Sequence, residues 1–148
     1  MKGCYHYLES GLPNIWLKNG FVVEKDSEYG DLVSFHDVDG LHRVIGRAIA
    51  NKPRLTGSEV RFLRKAMGLS QRGLGELLGV GDQAVALWEK RGRVPKTADR
   101  MLRLIYLEHA EGTTPIAETI RRINDLDEKS GERIVAEEAS DGWRALAA

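Results

Sequence analysis

The chain has 148 residues, enough for one domain or two small ones, and its 42% apolar content is enough for a packed core. No apolar run approaches a membrane span, and the start, MKGCYHYLESG, lacks the apolar stretch of a secretory signal. Net charge is zero and the single cysteine excludes an intramolecular disulfide framework, so we expect a soluble cytoplasmic protein in a reducing compartment.

Near the N-terminus, Asn19-Gly20 lies between the β-prone runs Ile15–Leu17 and Phe21–Val23, which predicts a hairpin, because a type I′ turn needs positive φ at both central residues. A second turn at Ser27–Gly30 leads to a third strand over Leu32–Phe35, giving a small β-meander. Asp37 or Asp39 can cap a helix over Leu41–Asn51, with Leu41, Val44, Ile45, Ala48 and Ile49 on one side. The break Asn51-Lys52-Pro53-Arg54 follows, because the residue before proline disfavours the helical region. It divides an N-terminal module, residues 1–52, from a helical domain, residues 53–128.

That second domain opens on Thr56-Gly57-Ser58-Glu59, a capping box, and a helix with Val60, Leu63 and Met67 inward runs to Gly68. Ser70 caps the next helix, with Leu69 and Leu74 placed as a hydrophobic staple and Leu74, Leu77 and Leu78 on the buried face. At Gly79 the chain must turn, and Val80 plugs that turn before a third helix from Asp82 to about Glu89. Two short helices meeting steeply across such a turn form a helix-turn-helix, whose second piece projects far enough to enter a major groove. Thr97 caps a helix from Ala98 to about His109 that carries Met101, Leu102, Ile105 and Tyr106. Pro115 then begins a last helix, Ile116–Leu126, with Ile116, Ile120 and Ile123 in a stripe. The tail, residues 129–148, reads as a β-hairpin around Asp141-Gly142, joining Arg133–Ala139 to Trp143–Leu146, or else as a loose helix or a disordered end. The fold class expected is mainly α with a small N-terminal α+β module.

Charge follows the same division. Residues 52–105 hold 12 Lys and Arg against 5 Asp and Glu, whereas residues 1–51 hold 5 against 7 and residues 106–148 hold 5 against 10. A basic middle between acidic flanks suits a DNA-facing module with protein-facing ends, although lopsided charge also arises by chance in helical domains.

The run LRKAMGLSQRGLGELLGVGDQAVALWEKRGRVP resembles the XRE (Cro/repressor-like) helix-turn-helix family. Its shared pattern is Leu-Arg-Lys, Gly-Leu-Ser-Gln, Leu-Gly-Val, Val-x-x-Trp-Glu and a basic Gly-Arg-x-Pro, over residues 56 to 105. The lead-in LTGSEVRFLRKAMGLSQ further resembles MqsA-type antitoxins, in which a small zinc-binding domain precedes the module. The resemblance implies a lambda-repressor-like fold and roles for individual residues. Gln71 would donate to a backbone phosphate and brace the next helix. Asp82, Gln83, Ala86 and Leu87 would face the bases: Gln83 pairing with adenine, Asp82 accepting from cytosine N4 or capping the helix, Leu87 packing on a thymine methyl. Lys90, Arg91, Arg93 and Lys96, in a basic loop after the recognition helix, would hold phosphates, with Arg72, Arg61 and Arg54 as additions. Arg91 lengthens the usual spacing by about one residue. Arg64 and Glu89 would form a partly buried ion pair, and Trp88 would be core.

Relatives with a zinc-binding N-terminus use paired Cys-x-x-Cys motifs. Here Cys4, His6, His36 and Asp39 offer a degenerate set with one thiolate, which argues against zinc; packing of Trp16, Phe21, Tyr29 and Phe35 would replace the metal. No nucleophile–base pair or phosphate loop is visible, so no enzyme and no cofactor are expected. Two readings follow. One is a sequence-specific regulator, a dimeric repressor of its own operon on a palindromic double-stranded operator, with no membrane partner. The other is an antitoxin whose main task is neutralising a cognate toxin protein through the N-terminal module or acidic tail. A homodimer would place two recognition helices on half-sites about 34–36 Å apart. Ile116, Ile120, Ile123 and the tail are its candidate interface, unless the stripe only packs on the preceding helix.

Overall fold

The computed structural model describes residues 3–26, 28–126 and 135–146. Ser27 of the expected second turn and residues 133–134 of the expected tail segment lie outside the described residues. The protein is mainly helical with small antiparallel sheets. Strand β1 (Tyr5–His6) leads through a 3-10 turn (Leu8–Ser10) to β2 (Trp16–Leu17), and β3 (Phe21–Asp26) leads to β4 (Gly30–Phe35). Six helices follow: α1 (Val38–Ala50), α2 (Gly57–Ala66), α3 (Gln71–Leu78), α4 (Asp82–Arg91), α5 (Lys96–Ala110) and α6 (Pro115–Asn124). A terminal hairpin joins β5 (Val135–Ala139) to β6 (Gly142–Leu146). Among the described residues no helix is long and apolar enough to cross a membrane.

The expected hairpin at Asn19-Gly20 does not form. β2 pairs with β1, Tyr5 opposite Leu17, and β3 pairs with β4, Phe21 opposite Phe35, so the sheets are two separate ribbons rather than a meander. Only the second turn signal closes a ribbon, and its side chains support it. The Asp26 carboxylate accepts from the amides of Glu28 (2.7 Å) and Tyr29 (3.0 Å), and those two bonds hold its pKa below the ordinary aspartate value. The support is therefore complete above the ordinary aspartate pKa and is lost as pH falls through the lowered one. At the other end of the ribbon the His36 amide donates to the Gly20 carbonyl (2.8 Å), extending the β3–β4 pairing by one bond beyond Phe21 and Phe35. The terminal hairpin does form around Asp141-Gly142, with Gly142 at φ +122°.

Helix α1 starts at Val38, earlier than the apolar spacing suggests, because Asp37 and not Asp39 is the cap: its carboxylate accepts from the Gly40 amide at 3.1 Å. Its buried face carries Ile45, Gly46, Ile49 and Ala50, whereas Val44 and Ala48 are exposed. The face is turned by Gly46, where an added Cβ would lie 1.9 Å from the Tyr106 hydroxyl, so α1 crosses α5 with its backbone almost touching that ring. At α5 the cap is Pro95 rather than Thr97. The Pro95 carbonyl accepts from the Asp99 amide (2.9 Å), which leaves Thr97 inside the first turn.

One core spans both sides of the break at residues 51–54. Tyr7, Leu12, Leu17, Ile45 and Ile49 are buried in the same cluster as Leu55, Val60, Leu63, Leu74, Val85, Trp88, Leu102 and Tyr106. The connecting segment is held by charge. Asp99 is fully buried; its carboxylate accepts from the Leu55 amide (2.8 Å) and from Arg103, whose guanidinium also donates to the carbonyls of Lys52 and Pro53. Lys52 in turn pairs with Glu59 at 2.6 Å. We expect Asp99→Ala to lower unfolding free energy by about 3–5 kcal/mol, because it strands the Arg103 charge and the Leu55 amide in the interior. Arg100→Ala, which removes a half-exposed partner of the same carboxylate, should cost less than about 1 kcal/mol in the same urea titration.

Candidate nucleic-acid interface

The corner between α3 and α4 is built from short-range geometry. Ser70 caps α3 by accepting from the Gly73 amide (2.9 Å), and Gly79 ends it at φ +73°, in the left-handed region. The Val80 amide then closes on the Gly75 carbonyl (2.9 Å), and Val80 turns in against the core. Helix α4 starts from Gly81, which has no side chain to cap with; Asp82 is the first helical residue and not the cap.

Only Val85 and Trp88 of α4 are fully buried. That one-turn spacing, with Ala84 packed beside it and the Glu89 side chain turned inward, seats one side of the helix and leaves the opposite side outward. Asp82, Gln83 and Leu87 are exposed and Ala86 is half-buried, so the expected reading face is open to a ligand. Trp88 is core, 7% exposed.

The basic residues are distributed differently from the expected loop. Lys90 and Arg91 form the last turn of α4, where positive charge complements the helix dipole, and Gly92 ends the helix at φ +73°. The residue by which Arg91 lengthens the spacing is absorbed as helix. Only Arg93 lies in the loop; Lys96 is the first residue of α5. All four are exposed, and among the described residues none has a carboxylate within ion-pair distance. Arg54 and Arg61 are also exposed and without such a partner, whereas exposed Arg72 approaches Glu76 at 3.6 Å one turn along α3.

Beneath this face the Arg64 guanidinium meets the Glu89 carboxylate in a fork, Nε to Oε2 at 2.8 Å and Nη2 to Oε1 at 2.9 Å. Arg64 Nη1 also donates to the Leu69 carbonyl (2.9 Å), and the Gln71 amide donates to Glu89 Oε1 at 3.4 Å. Both charged side chains are about nine-tenths buried. Gln71 thus braces α3 against the end of α4, with the remainder of its half-buried side chain at the surface.

Sequence reasoning missed two contributors beside this face. Lys65, exposed on α2 one turn after Arg61, and Glu9, Ser10 and Gly11 of the N-terminal turn line a cleft of about 790 Å3 that also reaches Gln71, Ala86 and Lys90. Spacing along α2 shows that Arg61 and Lys65 share a helix face; nothing local in the sequence puts residues 9–11 opposite them.

The residues considered for a metal are not gathered. His6 stacks on Trp16 (centroids 4.0 Å apart) and its Nε2 lies 2.6 Å from the Pro13 carbonyl, while Asp39 sits in the first turn of α1. Among the described residues no three His, Cys, Asp or Glu side chains come together as a metal site. The aromatic packing there also differs from expectation. Tyr5 and Tyr7 pack with Phe21 and Phe35, whereas Trp16 and Tyr29 are exposed. Comparison with protein-family models, curated proteins and solved structures finds no match for the chain.

Glu89→Ala should cost about 3–5 kcal/mol in urea denaturation, because the Arg64 charge is left buried without its partner. Gln83→Ala and Leu87→Ala, on the open face, should stay within about 0.5 kcal/mol of the parent. Equal stability of all three variants would remove the ion pair from its structural role.

Proposed function

We propose that the chain is a sequence-specific, double-stranded-DNA-binding regulator of the XRE type, with a lambda-repressor-like helical domain, acting as a dimeric repressor of its own operon. The observation that carries this reading is the outward face of α4: Asp82, Gln83 and Leu87 are open while Lys90, Arg91, Arg93 and Lys96 stand beside them with no ion-pair partner among the described residues. With Val85, Trp88 and the Glu89 side chain turned inward and Asp82, Gln83 and Leu87 open, α4 suits a major groove, and the exposed cations at and after its C-terminal end suit the phosphates that border it. Gln83 is the side chain suited to a bidentate contact with adenine. The task needs neither catalysis nor a cofactor, and a repressor of this kind works with the genome in the cytoplasm.

The reading requires a twofold axis, since one such helix spans only a few base pairs. Ile116 and Ile120 are half-buried against Leu77, Ile105 and Ala117, so they belong to the fold of the subunit. Ile123, 58% exposed, is what the stripe leaves for a partner copy, and α6 ends at Asn124, before the Leu126 to which the spacing extended it.

A second reading, an antitoxin that neutralises a cognate toxin through its N-terminal module, is favoured by the β3–β4 ribbon. Val22 and Leu32 are exposed on one of its faces, and Val23 on the other. Apolar side chains on both faces of a two-stranded ribbon suit a protein partner.

A mobility-shift titration with the chain's own promoter duplex tests the first reading. Gln83→Ala should cost about 1–3 kcal/mol of discrimination between the operator and a scrambled duplex while leaving binding to the scrambled duplex unchanged. Lys90→Ala and Arg91→Ala should weaken both complexes equally and lower the slope of log K against log salt by about 1 each. Absence of any complex with duplex DNA at low salt would end this reading.

A further inference from the structure

We propose that the cleft between the Leu8–Ser10 turn and helices α2 and α4 is a phosphate channel in which the N-terminal module forms one wall, with Glu9 acting as a negative element that limits phosphate affinity. The proposal deepens, and rests on, the reading of α4 as a DNA-facing helix.

Three observations carry it. The first is the charge lining the cleft. Arg61 and Lys65, one turn apart on α2, and Lys90 on α4 all face this volume, are exposed, and among the described residues have no carboxylate within ion-pair distance. The remaining cation of the lining, Arg64, is already neutralised by Glu89. The surplus is positive, and it adjoins Gln71 and Ala86 on the proposed DNA face, so a backbone lying along α4 would continue into the cleft.

The second is that the opposite wall is fixed. The turn is flanked by Tyr7 and Leu12, 3% and 2% exposed. Tyr7 packs edge-on against Phe35 and its hydroxyl lies 2.9 Å from His42 Nε2, while the His42 ring packs on Phe62 of α2. A chain of aromatic contacts thus holds residues 8–11 over the same helix that carries the cations. The width of the channel is set by the core and not by a loose loop.

The third is Glu9 itself. It is held from behind by the Tyr5 hydroxyl, at 2.9 and 2.8 Å from its two carboxylate oxygens, and makes no ion pair among the described residues. An acid placed in a cationic cleft without pairing to any of the cations lowers the potential a phosphate would meet. Its removal should strengthen binding.

The test uses the full chain and two probes, a mixed-sequence DNA duplex and inorganic tripolyphosphate. Fluorescence anisotropy of the duplex would be followed across a salt series, and backbone amide shifts across a tripolyphosphate titration. Arg61→Ala and Lys65→Ala, both at exposed positions, should each weaken duplex binding by about fivefold and lower the log–log salt slope by about 1, and Glu9→Gln should tighten it by a similar factor. Tripolyphosphate should shift the amides around Arg61 and Lys65 in the unaltered protein, which needs no variant to fold. If the duplex binds, responds to Lys90→Ala and Arg91→Ala, and ignores Arg61→Ala, Lys65→Ala and Glu9→Gln, the channel is overturned while the DNA reading stands. If no duplex binds but tripolyphosphate does, and the Arg61→Ala/Lys65→Ala double variant abolishes its shifts, the DNA reading fails and the cleft stands as a site for small phosphates. Binding of neither probe overturns both.

Discussion

The geometry of the projecting helix depends on one buried ion pair, Arg64 with Glu89. It joins three places that are distant along the chain: the body of α2, the carbonyl of Leu69 that precedes α3, and the last turns of α4. Two charges taken out of water gain little unless their remaining hydrogen-bonding capacity is met. Here Arg64 donates to three oxygens, and Glu89 receives both a guanidinium fork and the Gln71 amide. A hydrophobic pair of the same volume would hold the helices together as well, but it would not fix their rotation. The fork admits one relative orientation of α2 and α4, and the face that α4 turns outward follows from it.

Close approach of backbone reinforces that orientation. A Cβ on Gly57 would lie 2.3 Å from the Glu89 carbonyl, so the start of α2 rests directly on the end of α4. Glu59, two residues on, is 3% exposed and serves two partners: it closes the capping box with Thr56 and receives Lys52. From Lys52 the chain of polar contacts continues through Arg103 to Asp99. The first turn of α2 is therefore the junction between the ionic node under α4 and the clamp that holds the segment at residues 51–55. This is why the N-terminal module shares a core with the helices instead of forming a second body behind a linker.

What the sequence made legible was local. The capping box at Thr56, the cap at Ser70 and the turn at Gly79 each depend on residues within a turn or two of one another, and each is found where spacing puts it, whereas the inward Trp88 came from the family resemblance. The buried pair of Arg64 and Glu89, 25 residues apart, came from the family resemblance and not from spacing. Strand pairing was illegible because a turn signal such as Asn19-Gly20 is local, whereas the partner that β2 takes, Tyr5 and His6, lies about ten residues away. The face of α1 was misread for a similar reason. Val44 fits an apolar stripe, yet the crossing with α5 is set by the absence of a side chain at Gly46, which periodicity counts as neutral. Of the site, the face of α4 could be drawn from the sequence; the cleft could not, since its far wall arrives from residues 9–11 through aromatic contacts.

Zero net charge fits this arrangement better than a strongly basic chain would. Attraction to phosphates is independent of sequence and grows with every cation presented, so a uniformly basic protein binds duplexes indiscriminately. Here the positive residues are gathered into the middle of the chain between acidic flanks, and Glu9 lines the cleft beside Arg61, Lys65 and Lys90. Weakening the shared term leaves a larger fraction of any preference to contacts that differ between base pairs. In the proposed reading those contacts would come from the first two turns of α4, where Gln83 and Leu87 are open, because the last turn carries cations and Val85 and Trp88 are committed to the core. A helix divided in this way has room for few discriminating contacts, which is why the proposed DNA reading calls for a second copy on a twofold axis to make a site long enough to be distinctive.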